Sequence, residues 1–145
     1  MKTLASNKKA FHEYQILEKI VCGIILVGSE VKSIKNGKAS LAEAYCFISN
    51  GEIFIKGMNV TPHKEGGIHN NHEPLRDRKL LLKKKEIIKL HEKSSQKGLT
   101  IIPLELILTK TGFIKLEIGL AKGKNPYDKR NSLKEKDIKR ELERN

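Results

Sequence analysis

The chain has 145 residues, with 29 Lys or Arg against 17 Asp or Glu and a formal net charge of +12. Its length fits one domain with a modest core plus an appendage rather than two domains, and its charge selects a polyanionic partner, either nucleic acid or an anionic membrane. Lysine outnumbers arginine 24 to 5. A lysine is a point charge where an arginine is a planar fork, so the composition favours recognition of backbone and shape and disfavours sequence-specific reading of DNA bases.

In chain order, Met1 to Lys9 is polar and is expected to be disordered until Asn7-Lys8-Lys9; it lacks the apolar run of a signal peptide, and no stretch approaches the length of a transmembrane helix, so the chain is expected to stay in the cytoplasm. Phe11 to Ile20 and Gly23 to Val27 are expected to form two strands. Ser29 is placed as an N-cap, with Glu30 an acid in the first turn and Gly37 a stop, which predicts a short helix over Glu30 to Lys35. Asn50-Gly51 between Ala44–Ser49 and Glu52–Lys56 predicts a hairpin with a two-residue type I′ turn. Its arms are apolar on both faces, which implies a closed or covered sheet.

Thr61 to Pro74 reads as a loop. Lys84 to Gln96 is expected to be a helix with Ile87, Ile88, Leu90 and His91 directed inward, ended at Gly98. Thr100–Thr109 and Phe113–Leu120 form a last hairpin, with Pro103 at an edge or bulge; in the second arm Ile114, Leu116, Ile118 and Leu120 share the buried face. Short strands with peripheral helices predict a mainly β domain, a small antiparallel barrel. Cys22 and Cys46 have neither C-x-x-C spacing nor a histidine at zinc-finger distance, and read as reduced, buried small hydrophobes.

The positive charge is concentrated. Residues 76–97 carry nine basic and three acidic side chains, and residues 121–145 carry nine and five. In the second segment the alternating strand gives way to AKGKNPYDKR, Ala121 to Arg130, where Gly123 frees the backbone, Asn125-Pro126 favours a turn, and cations surround one ring, Tyr127. Cations for phosphates beside a ring for a base suggest RNA, whereas the plainer reading is a solvated basic terminus. Asn131 to Asn145 holds only Leu133, Ile138 and Leu142 as apolar residues, too few for a core; it is expected to be disordered alone and helical when bound.

His69-x-x-His72, with Glu73 and His63, is the one arrangement with a metal-like spacing. No second cluster closes a four-ligand shell, so these residues read as solvent-facing loop histidines with no metal and no cofactor. Without a nucleophile elbow, P-loop, dinucleotide fingerprint or carboxylate pair, nothing argues for an enzyme.

With GSEVKSIKNGK at Gly28 to Lys38, RDRKLLL at Arg76 to Leu82 and IGLAKGKNPYDKR at Ile118 to Arg130, the chain resembles the small protein B family, the SsrA-binding proteins of bacterial trans-translation. The resemblance runs from about Asn7 to the end. It implies an OB-like barrel with two to three peripheral helices over residues 1–122 and a disordered basic C-terminal tail over 123–145. It implies a monomer that grips the transfer-RNA-like domain of tmRNA (SsrA RNA) and, with elongation factor Tu through the tmRNA complex, brings alanyl-tmRNA to stalled ribosomes, where the tail probes the empty messenger channel beside small-subunit rRNA.

Carried over by position, Asn7, Lys8, Glu30, Lys32, Leu81, Lys122, Gly123 and Lys124 match family positions tied to RNA binding or to the fold of that face. Tyr127, Asp128, Lys129 and Arg130 match the segment placed at the decoding centre. The chain departs from the family pattern at Val21, where an acid is usual, at Asn125, and at Lys83, where a further lysine adds a phosphate contact. The rival readings are a general single-stranded nucleic-acid or ribosome-associated barrel, which the same charge map would serve, and a peripheral membrane protein anchored by its tail, which the missing large apolar face disfavours.

Overall fold

The computed structural model describes residues 1–62, 72–96 and 98–123. In chain order these form β1 (Lys2–Ser6), α1 (Lys8–Glu13), β2 (Tyr14–Ile24), α2 (Gly28–Lys35), β3 (Ala39–Ser40), β4 (Tyr45–Ser49), β5 (Glu52–Lys56), β6 (Asn59–Val60), β7 (Arg78–Leu81), α3 (Lys84–Ser94), β8 (Leu99–Leu108) and β9 (Ile114–Gly123). The tail expected beyond Gly123 lies outside the described residues.

The protein is mainly β, with three helices around an antiparallel sheet. Asn50 and Gly51 take φ values of +52° and +78°, the two left-handed conformations a type I′ turn demands, and β4 and β5 pair around them from Ser49↔Glu52 outward, as the sequence predicts. Seven strands run in the order β1-β8-β9-β2-β7-β5-β4, while β3 and β6 form a separate ribbon. The expected closed barrel is corrected: the sheet curls until β4 lies near β8, but β1 and β4 remain its edges. The reason lies on the edge of β8. Lys2 to Ser6 pair with Leu108 to Glu105, and Asn7 then takes the carbonyls of Leu104 and Pro103. Only the first residues of β8 are left facing β4, and there side chains of Cys46, Ile48, His91 and Leu99 line a gap instead of a ladder.

The N-terminal expectations also change. Residues 2–6 form a strand rather than a disordered lead, because their partner β8 lies about a hundred positions away and supplies hydrogen bonds that no local pattern reveals. Phe11 to Glu13 belong to α1 rather than to a strand, since Asn7 Oδ1 accepts the Ala10 N–H at 3.1 Å and starts a turn of helix. The two strands expected over Phe11–Ile20 and Gly23–Val27 are one, β2, with a register shift between Ile16 and Glu18. Pro103 sits at a shift in β8, as expected of a residue without a donor. In α3, Ile87 and Leu90 are buried, but Ile88 and His91 are exposed: the apolar stripe is narrower than predicted.

The main core lies inside the curl, around Ile34, Leu41, Ile53, Ile55, Met58, Leu80, Leu106, Leu116 and Ile118. Cys22 and Cys46 are in it, unbonded to each other as predicted. Burial pushes the Cys22 thiol up to about 12 and Cys46 well above its ordinary value. A second small core sits on the opposite face, where α1 lays Ala10 over Ile102, Leu104 and Ala121. Gly119 makes that approach possible: a Cβ there would lie 2.9 Å from Leu104 Cδ1 and 3.2 Å from Ile16 Cγ2.

Candidate nucleic-acid interface

The entry to α2 is built around Glu30. No side chain caps the helix at Val27; instead Glu30 reaches back, and its Oε1 accepts the Val27 N–H at 2.9 Å. Ser29, expected to be the cap, instead meets His72 Nδ1 at 2.8 Å, while His72 Nε2 lies 2.8 Å from the Val60 carbonyl. A carbonyl only accepts, so Nε2 carries a proton toward it. His72 therefore ties the loop end to α2 instead of facing solvent, which corrects the reading of it as a free loop histidine. His63 and His69 lie outside the described residues.

Glu30 itself has no exposed surface. Its Oε1 also accepts Arg76 Nη2 at 2.6 Å, and its Oε2 accepts Arg76 Nε at 3.2 Å and Arg78 Nε at 2.7 Å; Arg78 Nη2 lies 2.6 Å from Oε2 as an ion pair. Burial alone would raise the carboxyl's pKa, but these donors together hold it below the usual range. Burial likewise draws Arg78 below the ordinary arginine value, with Glu30 opposing. Arg78 is fully buried, and its remaining donors go to the carbonyls of Met58, Arg76 and Pro74 at 2.8, 2.9 and 3.2 Å. One carboxylate thus joins the start of α2 to the entry of β7 and, through Arg78, to the residue before β6.

Asn7 is the second buried polar anchor. Its backbone N–H donates to Leu104 O at 2.8 Å and its Nδ2 to Pro103 O at 2.8 Å, while Oδ1 caps α1. Asn7 and Glu30, both matched to family positions tied to RNA binding or to the fold of that face, are therefore each engaged in several internal hydrogen bonds.

The other predicted positions are on the surface. Lys8 opens α1, Lys32 lies on α2, and Lys83 precedes α3, its N–H bonded to Glu86 Oε1 at 2.8 Å; all three are exposed. Leu81 is 52% exposed, an unusual state for a strand leucine, and lies over Gly23. Gly23 pairs with Leu81 on one side and Lys115 on the other, so leucine, glycine and lysine form one row across β7, β2 and β9. Lys122 and Gly123 are exposed at the end of β9, opposite Gln15 and Tyr14. Lys124, Tyr127, Asp128, Lys129 and Arg130 lie outside the described residues.

The structure thus sorts these residues to the two ends of β2: Glu30, Lys32, Leu81 and Lys83 near its last residues, Lys122 and Gly123 beside its first, with α1 lying back over the strand. Tyr14 and Gly23 are nine positions apart, roughly 30 Å of extended chain. That span suits a polymer contacted at several phosphates better than a small ligand. Among the described residues no cluster of three or more His, Cys, Asp or Glu is placed to hold a metal ion, and no helix is long and apolar enough to cross a membrane.

The family model described as SmpB protein matches residues 4–145. The chain belongs to the SmpB family. The SsrA-binding protein of Clostridium acetobutylicum is 54% identical over 142 residues, covering 98% of this chain and 90% of that relative. The SsrA-binding protein of Cytophaga hutchinsonii is 52% identical over 138 residues, covering 95% and 90%. A solved chain from a structure described as "tmRNA-SmpB: a journey to the center of the bacterial ribosome" is 38% identical, with a TM-score of 0.72 over 93% of this chain and 94% of that one.

Against the acid expected in SmpB proteins, Val21 is 53% exposed and directly opposite Glu117 on β9. Arg76 and Arg78, which in the sequence stand out only as part of a basic segment and of the RDRKLLL motif, prove to be the partners of Glu30. A signal was available: of the five arginines, these two alone precede residue 124, in a chain that otherwise uses lysine.

Proposed function

We propose that this chain binds the transfer-RNA-like domain of tmRNA as a monomer and delivers alanyl-tmRNA to stalled ribosomes for tagging of the nascent peptide and ribosome rescue, with elongation factor Tu engaged through the tmRNA complex. The observation that carries the reading is near-full-length similarity to a chain described as part of a tmRNA-SmpB assembly in the bacterial ribosome. In this reading the protein performs no chemical step and works in the cytoplasm.

Lys8, Lys32, Lys83, Lys122 and Lys124 meet phosphates, Leu81 gives an apolar contact beside Gly23, and Asn7 and Glu30 hold the surface in shape. Gly123 lets the chain leave β9, so that residues 1–122 serve as the RNA-binding body and 123–145 as a tail. Tyr127, Asp128, Lys129 and Arg130 act at the decoding centre, the ring by stacking and the cations by phosphate contact.

The test is to recover the protein from a bacterial lysate and sequence the RNA that comes with it, then titrate binding to the isolated transfer-RNA-like domain. tmRNA should dominate the recovered RNA. The slope of log affinity against log salt should be about −0.7 to −0.9 per neutralised phosphate. Recovery of bulk RNA without tmRNA enrichment, or a salt-independent affinity, would sink the reading.

A further inference from the structure

The three charges at the start of α2 do not share one environment. Arg78 and Glu30 have no side-chain exposure, whereas the Arg76 side chain is 34% exposed. Both oxygens of Glu30 are occupied: Oε1 and Oε2 each accept two hydrogen bonds, and Oε2 is also in ion-pair contact with Arg78 Nη2. Arg78 is turned wholly inward: four of its N–H groups hydrogen-bond Glu30 and three carbonyls, and its Nη2 makes a further ion-pair contact with Glu30 Oε2. Arg76 is not. It spends Nε and one Nη2 hydrogen on Glu30, and two more on the carbonyls of Asp77 and Ile25 at a long 3.4 Å. Of five donors, one Nη1 hydrogen has no bond among the described residues and two are held weakly.

Charge leads to the same place. Two guanidiniums against one carboxylate leave the group one positive charge in excess, and Arg76 is the member that solvent reaches. The guanidinium is fixed by its fork on Glu30, so presenting its outer edge to a ligand loses little further side-chain freedom. The neighbours it offers a ligand are Ile25 and Val27, 45% and 44% exposed, and the exposed carboxylate of Asp77. An apolar rim with one fixed cation suits a nucleic-acid backbone, whose sugar lies against the aliphatic side chains while the phosphate takes the N–H edge. Asp77 keeps the site from being a general anion trap.

We infer that Arg76 is an RNA-backbone contact of this protein and that Glu30 acts on RNA only through it, as the residue that aims the guanidinium. The inference rests on the RNA-binding reading above. It differs from a direct role for Glu30 in one measurable way, which is coupling between the two positions.

The experiment measures binding of the full chain to the isolated transfer-RNA-like domain against salt for wild type, Arg76→Ala, Arg76→Lys, Glu30→Gln, and the Glu30→Gln/Arg76→Ala pair, with thermal unfolding alongside. Arg76→Ala leaves the buried Glu30–Arg78 pair in place and should remain folded. Its affinity should fall roughly tenfold, as for a lost hydrogen bond to a charged group, and its salt slope should shrink by about 0.7–0.9, one phosphate. Arg76→Lys should keep the slope and lose part of the affinity. Glu30→Gln should weaken binding in the wild-type background and add little once Arg76 is gone. Wild-type affinity and slope in Arg76→Ala would overturn the assignment, as would an equal loss from Glu30→Gln in both backgrounds among folded proteins. Failure of the wild type to bind this RNA is a separate result, counting against the proposed function.

Discussion

Replacing Arg78 by alanine tests whether the carboxylate hub holds the fold together. Arg78 has no exposure and donates four hydrogen bonds, to Glu30 and to the carbonyls of Met58, Arg76 and Pro74, beside its ion pair with Glu30. Truncation leaves a buried carboxylate with one of its two arginines gone and three carbonyls without their donor. Breaking a buried ion pair from one side costs about 3–5 kcal/mol, against a total of about 5–15 kcal/mol for a folded domain. The melting temperature should therefore fall by on the order of 10–20 °C. Chemical denaturation of wild type, Arg78→Ala, Glu30→Ala and the double variant gives the coupling directly. Because the loss comes from an orphaned charge, the double variant should be less destabilised than the sum of the singles by about 0.5–3 kcal/mol, with Arg76 turning to water. Additive losses, or an Arg78→Ala protein within about 1 kcal/mol of wild type, would refute the reasoning.

Three further outcomes are expected. Glu30 titrates below its ordinary value in the folded state, so its contribution is present above the unfolded carboxyl pKa, about 4.3, and is lost as pH falls through the folded value; stability measured between pH 5 and 3 should decline less steeply in Glu30→Gln, and an unchanged slope would count against it. Cys22 and Cys46, buried and raised, should resist iodoacetamide at pH 8 in the native protein and react on unfolding, and stability should erode as pH rises above the unfolded thiol value of about 8.5; rapid native alkylation would contradict this. A chain ending at Lys124 should keep its melting temperature and most of its affinity for the transfer-RNA-like domain while losing peptide tagging, since residues beyond it hold few apolar side chains; unfolding on truncation, or full tagging without the tail, would defeat that division of labour.

The sequence by itself determined what depends on near neighbours. Asn50-Gly51 specifies its turn because two adjacent residues must both tolerate positive φ. The alternation of Leu116, Ile118 and Leu120 marks one buried face of β9, and the motifs at Gly28–Lys38, Arg76–Leu82 and Ile118–Arg130 identify the family. The tertiary structure decided what depends on residues far apart in the chain. Residues 2–6 become a strand only because β8 offers an edge, and the same use of that edge leaves the curled sheet open toward β4. Glu30 reads locally as an acid at a helix start, and so it is; that its oxygens are also filled by Arg76 and Arg78, 46 and 48 positions away, follows from no local pattern. A carboxylate's role is set by which donors the fold brings to it, and the fold brings these two across the gap between α2 and β7.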